Sequence, residues 1–223
     1  RIIANILKED LYRLYDSIIS EDTEFDQLNS GKRRLKNRYL DFITTLDQTA
    51  SKSQTCFDNS KNMTEILYSL KLLVKSDKAS NALSSFYKNW RRDPLLIDKW
   101  FSVQAIYTPA NKIFKILESL SMHPDFKWKN PNRFRSLIGA FAFNNPRCFH
   151  SEDGAGYKIV ADWVKKIDPV NPQLAARLCT AFETVDRLEN KRKDIIKSSL
   201  KRIRYSDNIS KDTLDISARL LKL

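Results

Sequence analysis

The side chains that do most metal and acid–base chemistry are scarce here. There are two histidines, His123 and His150, and three cysteines, Cys56, Cys148 and Cys179, in 223 residues. Two histidines without a C-x-x-C pair do not complete a protein metal site. His150 lies close to Glu152 and Asp153, a grouping that acid–base chemistry could use. A turn and helix cap accounts for the same residues without chemistry. No H-E-x-x-H, G-x-S-x-G, P-loop or dinucleotide-binding glycine pattern occurs. The odd, irregularly spaced cysteines argue against a disulfide framework and for a reducing compartment.

Cationic side chains are the other candidates. The net charge is +12, from 39 Lys and Arg against 27 Asp and Glu. That excess suits nucleic acid, an anionic membrane surface or an acidic protein partner, and does not choose among them. It is densest in Lys32-Arg-Arg-Leu-Lys-Asn-Arg38 and in Lys191-Arg-Lys, continuing to Lys201-Arg-Ile-Arg204. In the second, Ile195, Ile196, Leu200 and Ile203 recur at helical spacing, which describes an amphipathic helix with a solvated basic face. Neither segment interleaves aromatics as single-strand binders do. The aromatics of Phe86-Tyr-Lys-Asn-Trp90 and Trp100-Phe101 could stack on a ligand, but their helical spacing favours core.

The elements that must position these residues read as helices. With 42% hydrophobic and 30% charged residues the chain has globular proportions. Its length is ample for a buried core. Its longest apolar run, 137–143, is far too short to span a membrane. Only four glycines occur, where sheets and hairpins would need many more. Apolar spacing predicts helices over 4–19, with Leu7, Leu11, Leu14, Tyr15, Ile18 and Ile19 inward, and over 32–46, with Leu35, Tyr39, Leu40, Ile43 and Leu46 inward. Residues 21–30 read as loop and 47–61 as linker. Asn62-Met-Thr-Glu65 reads as an N-cap with a reciprocal Glu, followed by a helix through Leu73. Another helix is expected over 82–90.

All seven prolines lie between Pro94 and Pro172. Six follow a capping-type residue: Asp93, Thr108, Asn130, Asn145, Asp168 and Asn171. Such a pair starts a helix and ends the preceding one. Asp168-Pro169 lies too close to Asn171-Pro172 to start its own helix and reads as a turn. The predicted helices are 95–106, 110–121, 132–143, 157–167, 173–184, 187–204 and 211–221, with a turn at Asp153-Gly-Ala-Gly156. The expected fold is therefore all-α, a solenoid-like array of about 10–12 antiparallel helices of ARM/HEAT type. No clean repeat of fixed period accompanies it.

Four runs then become specific: Asp98-Lys-Trp-Phe-Ser-Val-Gln104; His123-Pro-Asp-Phe with Asn130-Pro-Asn-Arg-Phe-Arg-Ser-Leu137; Asn145-Pro, Phe149-His150 and Glu152-Asp-Gly-Ala-Gly-Tyr157; and Asn171-Pro-Gln-Leu-Ala-Ala-Arg177. In order, they resemble the C-terminal helical domain of bacterial-type aminopeptidase N, a family of zinc metallopeptidases of the H-E-x-x-H class. Gly31 to Asn37 and Asn62-Met-Thr-Glu65 are weaker landmarks of the same domain. The likeness runs from residue 31 to the C-terminus and is dense over 90–177. Ala155 departs from it, standing where the family usually has Ser. The stretch 186–193 keeps only a loose likeness.

The resemblance implies one C-terminal helical domain over 1–223, an excised piece that starts at Arg1 without an initiator Met or signal peptide. In the family such a domain closes over a thermolysin-like catalytic domain and leaves an enclosed chamber. The zinc, its ligands and the general base belong to that catalytic domain, so this chain is expected to bind no cofactor and to hydrolyse nothing alone. The implied partners are the catalytic domain of the same polypeptide and peptide substrates, with no membrane, no nucleic acid and a cytoplasmic location. By similarity Arg135, Gln173 and Arg177 line the chamber, and Arg133 is structural. Gln173 and Arg177, four residues apart, share a helix face. A domain carboxylate paired with each arginine is the alternative. The rival function is a free-standing basic scaffold for nucleic acid or protein. A steep fall of nucleic-acid affinity with salt marks that rival, and flat, weak binding dismisses it.

Overall fold

The computed structural model describes residues 2–18 and 27–222. Among the described residues every regular element is helical. The chain divides into two compact units, Arg1–Pro109 and Ala110–Leu223.

The first unit runs α1 (Ile2–Ile6), α2 (Lys8–Ser17), α3 (Gln27–Leu46), α4 (Ser51–Asn59), α5 (Met63–Lys75), α6 (Ser80–Trp90) and α7 (Pro94–Tyr107). The helix expected over 4–19 is broken at Leu7, and Ile19 lies outside the described residues. Leu11 and Tyr15 join Leu40, Ile43, Cys56 and Leu72 in one core cluster. Leu7, Leu14 and Leu35, all expected inward, are exposed. Of the expected loop 21–30, residues 21–26 lie outside the described residues and 27–30 open α3.

The expected linker at 47–61 contains a helix instead. Asp47 organises its start, accepting from the Thr49 N–H at 2.8 Å and hydroxyl at 2.6 Å, and from the Ser51 N–H at 2.8 Å. These bonds, the Thr49 hydroxyl first, pull the Asp47 carboxyl down to about 2. α4 then buries Ser53, Cys56 and Phe57 and lies against α5. Tertiary burial stabilises a helix whose Ser, Thr and Gln content would not form one alone. Asn62 caps α5 as expected, its side chain accepting from the Glu65 N–H at 2.9 Å. Phe86, Trp100 and Phe101 are core, and Trp100 Nε1 donates to the Leu83 carbonyl at 3.0 Å.

The second unit opens with α8 (Ile113–Ser121). A continuous rod follows: α9 (Pro131–Phe134), a π segment (Arg135–Gly139) and α10 (Ala140–Asn144). After it come α11 (Pro146–Phe149), α12 (Ala155–Ile167), α13 (Pro172–Cys179), a 3₁₀ segment (Thr180–Arg187), α14 (Asn190–Arg204) and α15 (Lys211–Leu221). Asn130 and Asn171 cap as expected, accepting from the N–H groups of Asn132 and Leu174 at 2.9 Å with proline at the first helical position. Thr108-Pro109 does not start a helix. Residues 110–112 form a turn first, because proline's fixed φ suits a turn as well as a helix. The helix expected over 173–184 ends at Cys179 and tightens into the 3₁₀ segment.

The rod is the centre of this unit. Residues 136–142 are all buried, so it is covered on every side. Two glycines bring α12 against its neighbours. Gly154 has φ +71°, and a Cβ there would lie 2.4 Å from Ile195 of α14. A Cβ on Gly156 would lie 2.4 Å from the Phe149 carbonyl oxygen.

A buried carboxylate ties the end of α12 to α15. Asp168 is 1% exposed. It accepts from the Ser210 N–H at 2.7 Å, the Ser210 hydroxyl at 2.6 Å and the Thr213 hydroxyl. Asp168→Ala leaves three donors without this acceptor and is expected to cost about 3 kcal/mol. Thermal unfolding followed by circular dichroism should show the midpoint fall by roughly 6–12 °C. Asp168→Asn, which keeps one acceptor oxygen, should lose less.

Candidate functional site

The rod and α13 position the three residues expected to touch substrate. Asn130 and Pro131 set the rod's first turn, and Arg135 follows where the ladder widens to the i→i+5 step of a π-helix. Such segments are rare and concentrate at functional sites. Arg135 is exposed, and its Nη1 donates to the Asn132 side-chain oxygen at 3.3 Å. On α13, Gln173 and Arg177 are both exposed and stand on one face. The Arg177 guanidinium lies 5.7 Å from the centroid of the Phe143 ring. Phe143 belongs to α10, so Arg177 meets the far end of the rod on which Arg135 stands near the start.

Neither Arg135 nor Arg177 forms an ion pair with a carboxylate among the described residues. Among the described residues, the carboxylate partner of the alternative is found for neither arginine. Arg135 meets a neutral amide and Arg177 an aromatic face, which leaves most of their donors facing water. A guanidinium so placed can take a peptide carbonyl or carboxylate by charge-assisted bonds. An apolar groove between α8 and α12, lined by Phe114, Leu117, Ile159 and Trp163, is separate and contains none of the three.

His150 is part of the scaffold. Its Nδ1 is 2.8 Å from the Tyr157 hydroxyl and its Nε2 is 3.4 Å from the Thr184 hydroxyl. Its carbonyl accepts from Arg192 Nε at 2.8 Å. Arg192 also pairs with Glu189 at 2.7 Å and Glu152 at 3.6 Å. His150 thus joins α12 and the 3₁₀ segment through its ring and α14 through its carbonyl. Both ring nitrogens of His150 are occupied, and His123 Nδ1 accepts the Asp125 N–H at 3.1 Å. Among the described residues no group of three or more His, Cys, Asp or Glu could hold a metal ion. Cys56, Cys148 and Cys179 are free and buried. Burial pushes the Cys179 thiol up to about 12, far from a reactive thiolate.

Spacing alone could place Gln173 and Arg177 on one face. It could not show Phe143 beneath Arg177, or Thr184 and Arg192 around His150, because those partners come from distant segments.

Two all-helical units, the second with short, Asx-capped helices around a buried rod, define an all-α chain. The chain belongs to the family described as "Domain of unknown function (DUF3458_C) ARM repeats", which it matches over residues 1–222. It is 33% identical to aminopeptidase N of Haemophilus influenzae over 215 residues, 96% of this chain and 25% of that protein. It is 32% identical to aminopeptidase N of Escherichia coli over 219 residues, 95% of this chain and 25% of that protein. The crystal structure of Legionella pneumophila aminopeptidase A in complex with aspartic acid superposes with a TM-score of 0.91 at 33% identity, covering 99% of this chain and 27% of that one. The chain thus spans about a quarter of the length of the curated relatives it matches. The resemblance to the C-terminal helical domain of aminopeptidase N holds over the whole chain.

The imidazole gives this scaffold a pH dependence. Burial first, then the Arg192 charge, holds His150 below its ordinary value of 6.5, against the pull of Glu189. The unfolded chain takes up the proton near 6.5, while the folded chain resists it until lower pH. Stability is therefore fully present above that value and is lost as pH falls below it. Urea midpoints measured at about pH 7.5 and about pH 5.5 should fall further in the wild type than in His150→Gln. Equal falls would show that His150 does not carry the effect.

Proposed function

We propose that this chain is a non-catalytic domain of an aminopeptidase that closes and lines the chamber where N-terminal residues are removed from peptides. The observation that carries the reading is the pair of exposed guanidinia, Arg135 and Arg177, without carboxylate partners, together with Gln173 on the face of Arg177. These three are the groups that would meet the substrate's backbone or C-terminal end. The zinc of the family, its ligands and the general base are assigned to the catalytic domain of the parent polypeptide. We assign the domain to residues 1–223, both compact units included. The excess positive charge is concentrated in the second unit, 22 Lys and Arg against 13 Asp and Glu, compared with 17 against 14 in the first. It supports docking on an acidic surface of the catalytic domain, and a cytoplasmic setting accords with three free thiols. No helix among the described residues is long and apolar enough to cross a membrane.

The test uses the full parent enzyme. A charge-assisted bond from one guanidinium contributes roughly 1.5–3 kcal/mol. Arg135→Ala or Arg177→Ala should then lower kcat/KM for extended peptides by roughly 10- to 150-fold, with much smaller loss on single-residue chromogenic amides that do not reach these positions. Equal losses on both substrates would indicate misfolding and end the substrate-contact reading. The same parent should carry an H-E-x-x-H motif and a downstream Glu ligand ahead of this domain. An unrelated domain there would return the function to the scaffold alternative.

A further inference from the structure

The basic segment 32–38 was read from sequence as having no aromatic company. The fold supplies it from other helices. Gly31, Arg34, Leu35 and Arg38 of α3 and Tyr68 of α5 line an open cleft of about 490 Å³. The Arg38 charge lies close enough to the Tyr68 hydroxyl to oppose the rise that burial gives its pKa. Beside it, the Lys71 amine sits 4.4 Å from the Tyr68 ring centroid and 5.0 Å from that of Tyr107. Lys75 completes the group.

Among the described residues Asp41 answers these charges, 3.0 Å from Lys75 and 3.6 Å from Arg38. Arg34 and Lys71 pair with no carboxylate among the described residues. Among the described residues, four cations therefore share one carboxylate. Burial, and then the neighbouring Lys75 and Arg38 against the pull of Asp41, holds the Lys71 amine below its ordinary value. That is the response of an ammonium in a partly dry, electropositive place.

A second observation concerns space. Gly31 lies inside the 20-residue α3, where glycine is about 1 kcal/mol worse than alanine. Among the described residues, a Cβ there would meet nothing within 4 Å, and a methyl group at this position would enter the cleft. Glycine keeps the backbone of α3 approachable, in the way ligand sites use it.

We propose that the cleft between α3 and α5 binds a small molecule carrying clustered oxyanions, phosphate or carboxylate, held by Arg34 and Arg38 and bounded by Leu35 and Tyr68, with Lys71 and Lys75 adding positive charge nearby. Two guanidinia four residues apart on one helix offer planar donor forks to adjacent oxyanions. Lys71, over the Tyr68 ring, and Lys75, on Asp41, add positive charge near the cleft, and the exposed Leu35 side chain flanks the ligand's body. The site uses none of Arg135, Gln173 and Arg177.

Calorimetric titration of the 223-residue chain with pyrophosphate and with citrate, at ionic strength matched by sodium chloride, tests this. Binding of either probe that falls at least about tenfold in Arg34→Ala/Arg38→Ala supports the site, and the tighter probe names the oxyanion. Gly31→Ala separates ligand binding from folding. It should raise the thermal midpoint of the free chain, because alanine is the better helix former, while weakening the bound probe severalfold. Unchanged affinity in either variant overturns the proposal. So does stabilisation by sodium chloride equal to that by the probes, or an Arg34-dependent duplex DNA complex that neither probe displaces, which would make the face a nucleic-acid surface.

Discussion

A side-chain oxygen that accepts backbone N–H groups just ahead of a proline is the interaction on which this domain depends. Asp93 takes the N–H groups of Leu95 and Leu96, Asn130 those of Asn132 and Arg133, Asn145 that of Cys148, and Asn171 that of Leu174. Each satisfies donors that a helix start would otherwise leave without a partner, and the proline that follows stops the preceding segment. The start is thereby held to one residue. Because a helix turns by a fixed angle per residue, fixing the start fixes which side chains face outward. Arg135 stands five residues after Asn130, and Gln173 and Arg177 stand two and six after Asn171. Their outward placement follows from the caps.

The helices that follow Asp93, Asn130 and Asn171 were legible in the sequence, and so was α5 with Asn62, whereas the single turn after Asn145 was marked only by its Asn-Pro start. Where tertiary contact decides, the sequence misleads. Residues 51–59 have the composition of a linker, but Cys56 and Phe57 are taken up by the core and Asp47 secures the turn ahead of them. Thr108-Pro109 has the local form of a start, yet α8 waits until Ile113 and has no side-chain cap. The break at Leu7 and the π step at Arg135 leave no mark on the apolar spacing, because each alters the hydrogen-bond ladder within a run of compatible residues.

The same division applies to the candidate sites. Residue type and spacing, with the family resemblance, were enough to single out Arg135, Gln173 and Arg177. Whether their charge is answered by a neighbour is a property of the folded chain. Arg192 and Arg202 show the contrast: each is answered, by Glu189 at 2.7 Å and by Asp162 at 2.7 Å, and each reaches a distant element, Arg192 through the His150 carbonyl and Arg202 through Asp162 itself. A long basic helix such as α14 spends part of its charge in holding the array together. Arg135, Arg177 and Arg34 do not, which is why they are of interest as contacts.

The turn at 153–156 shows where such a sequence is free to drift. Gly154 is held by its positive φ and by Ile195, and Gly156 by the Phe149 carbonyl 2.4 Å from any Cβ. Asp153 receives the N–H of residue 155 at 3.0 Å, a main-chain group that every residue except proline supplies. Position 155 therefore contributes its backbone and leaves its side chain unconstrained by that bond. An alanine in place of the family's usual serine is a change the turn absorbs without altering α12 or the approach of Tyr157 to His150. Among descendants of a common ancestor, variation in this motif should collect at its third residue and spare the glycines on either side.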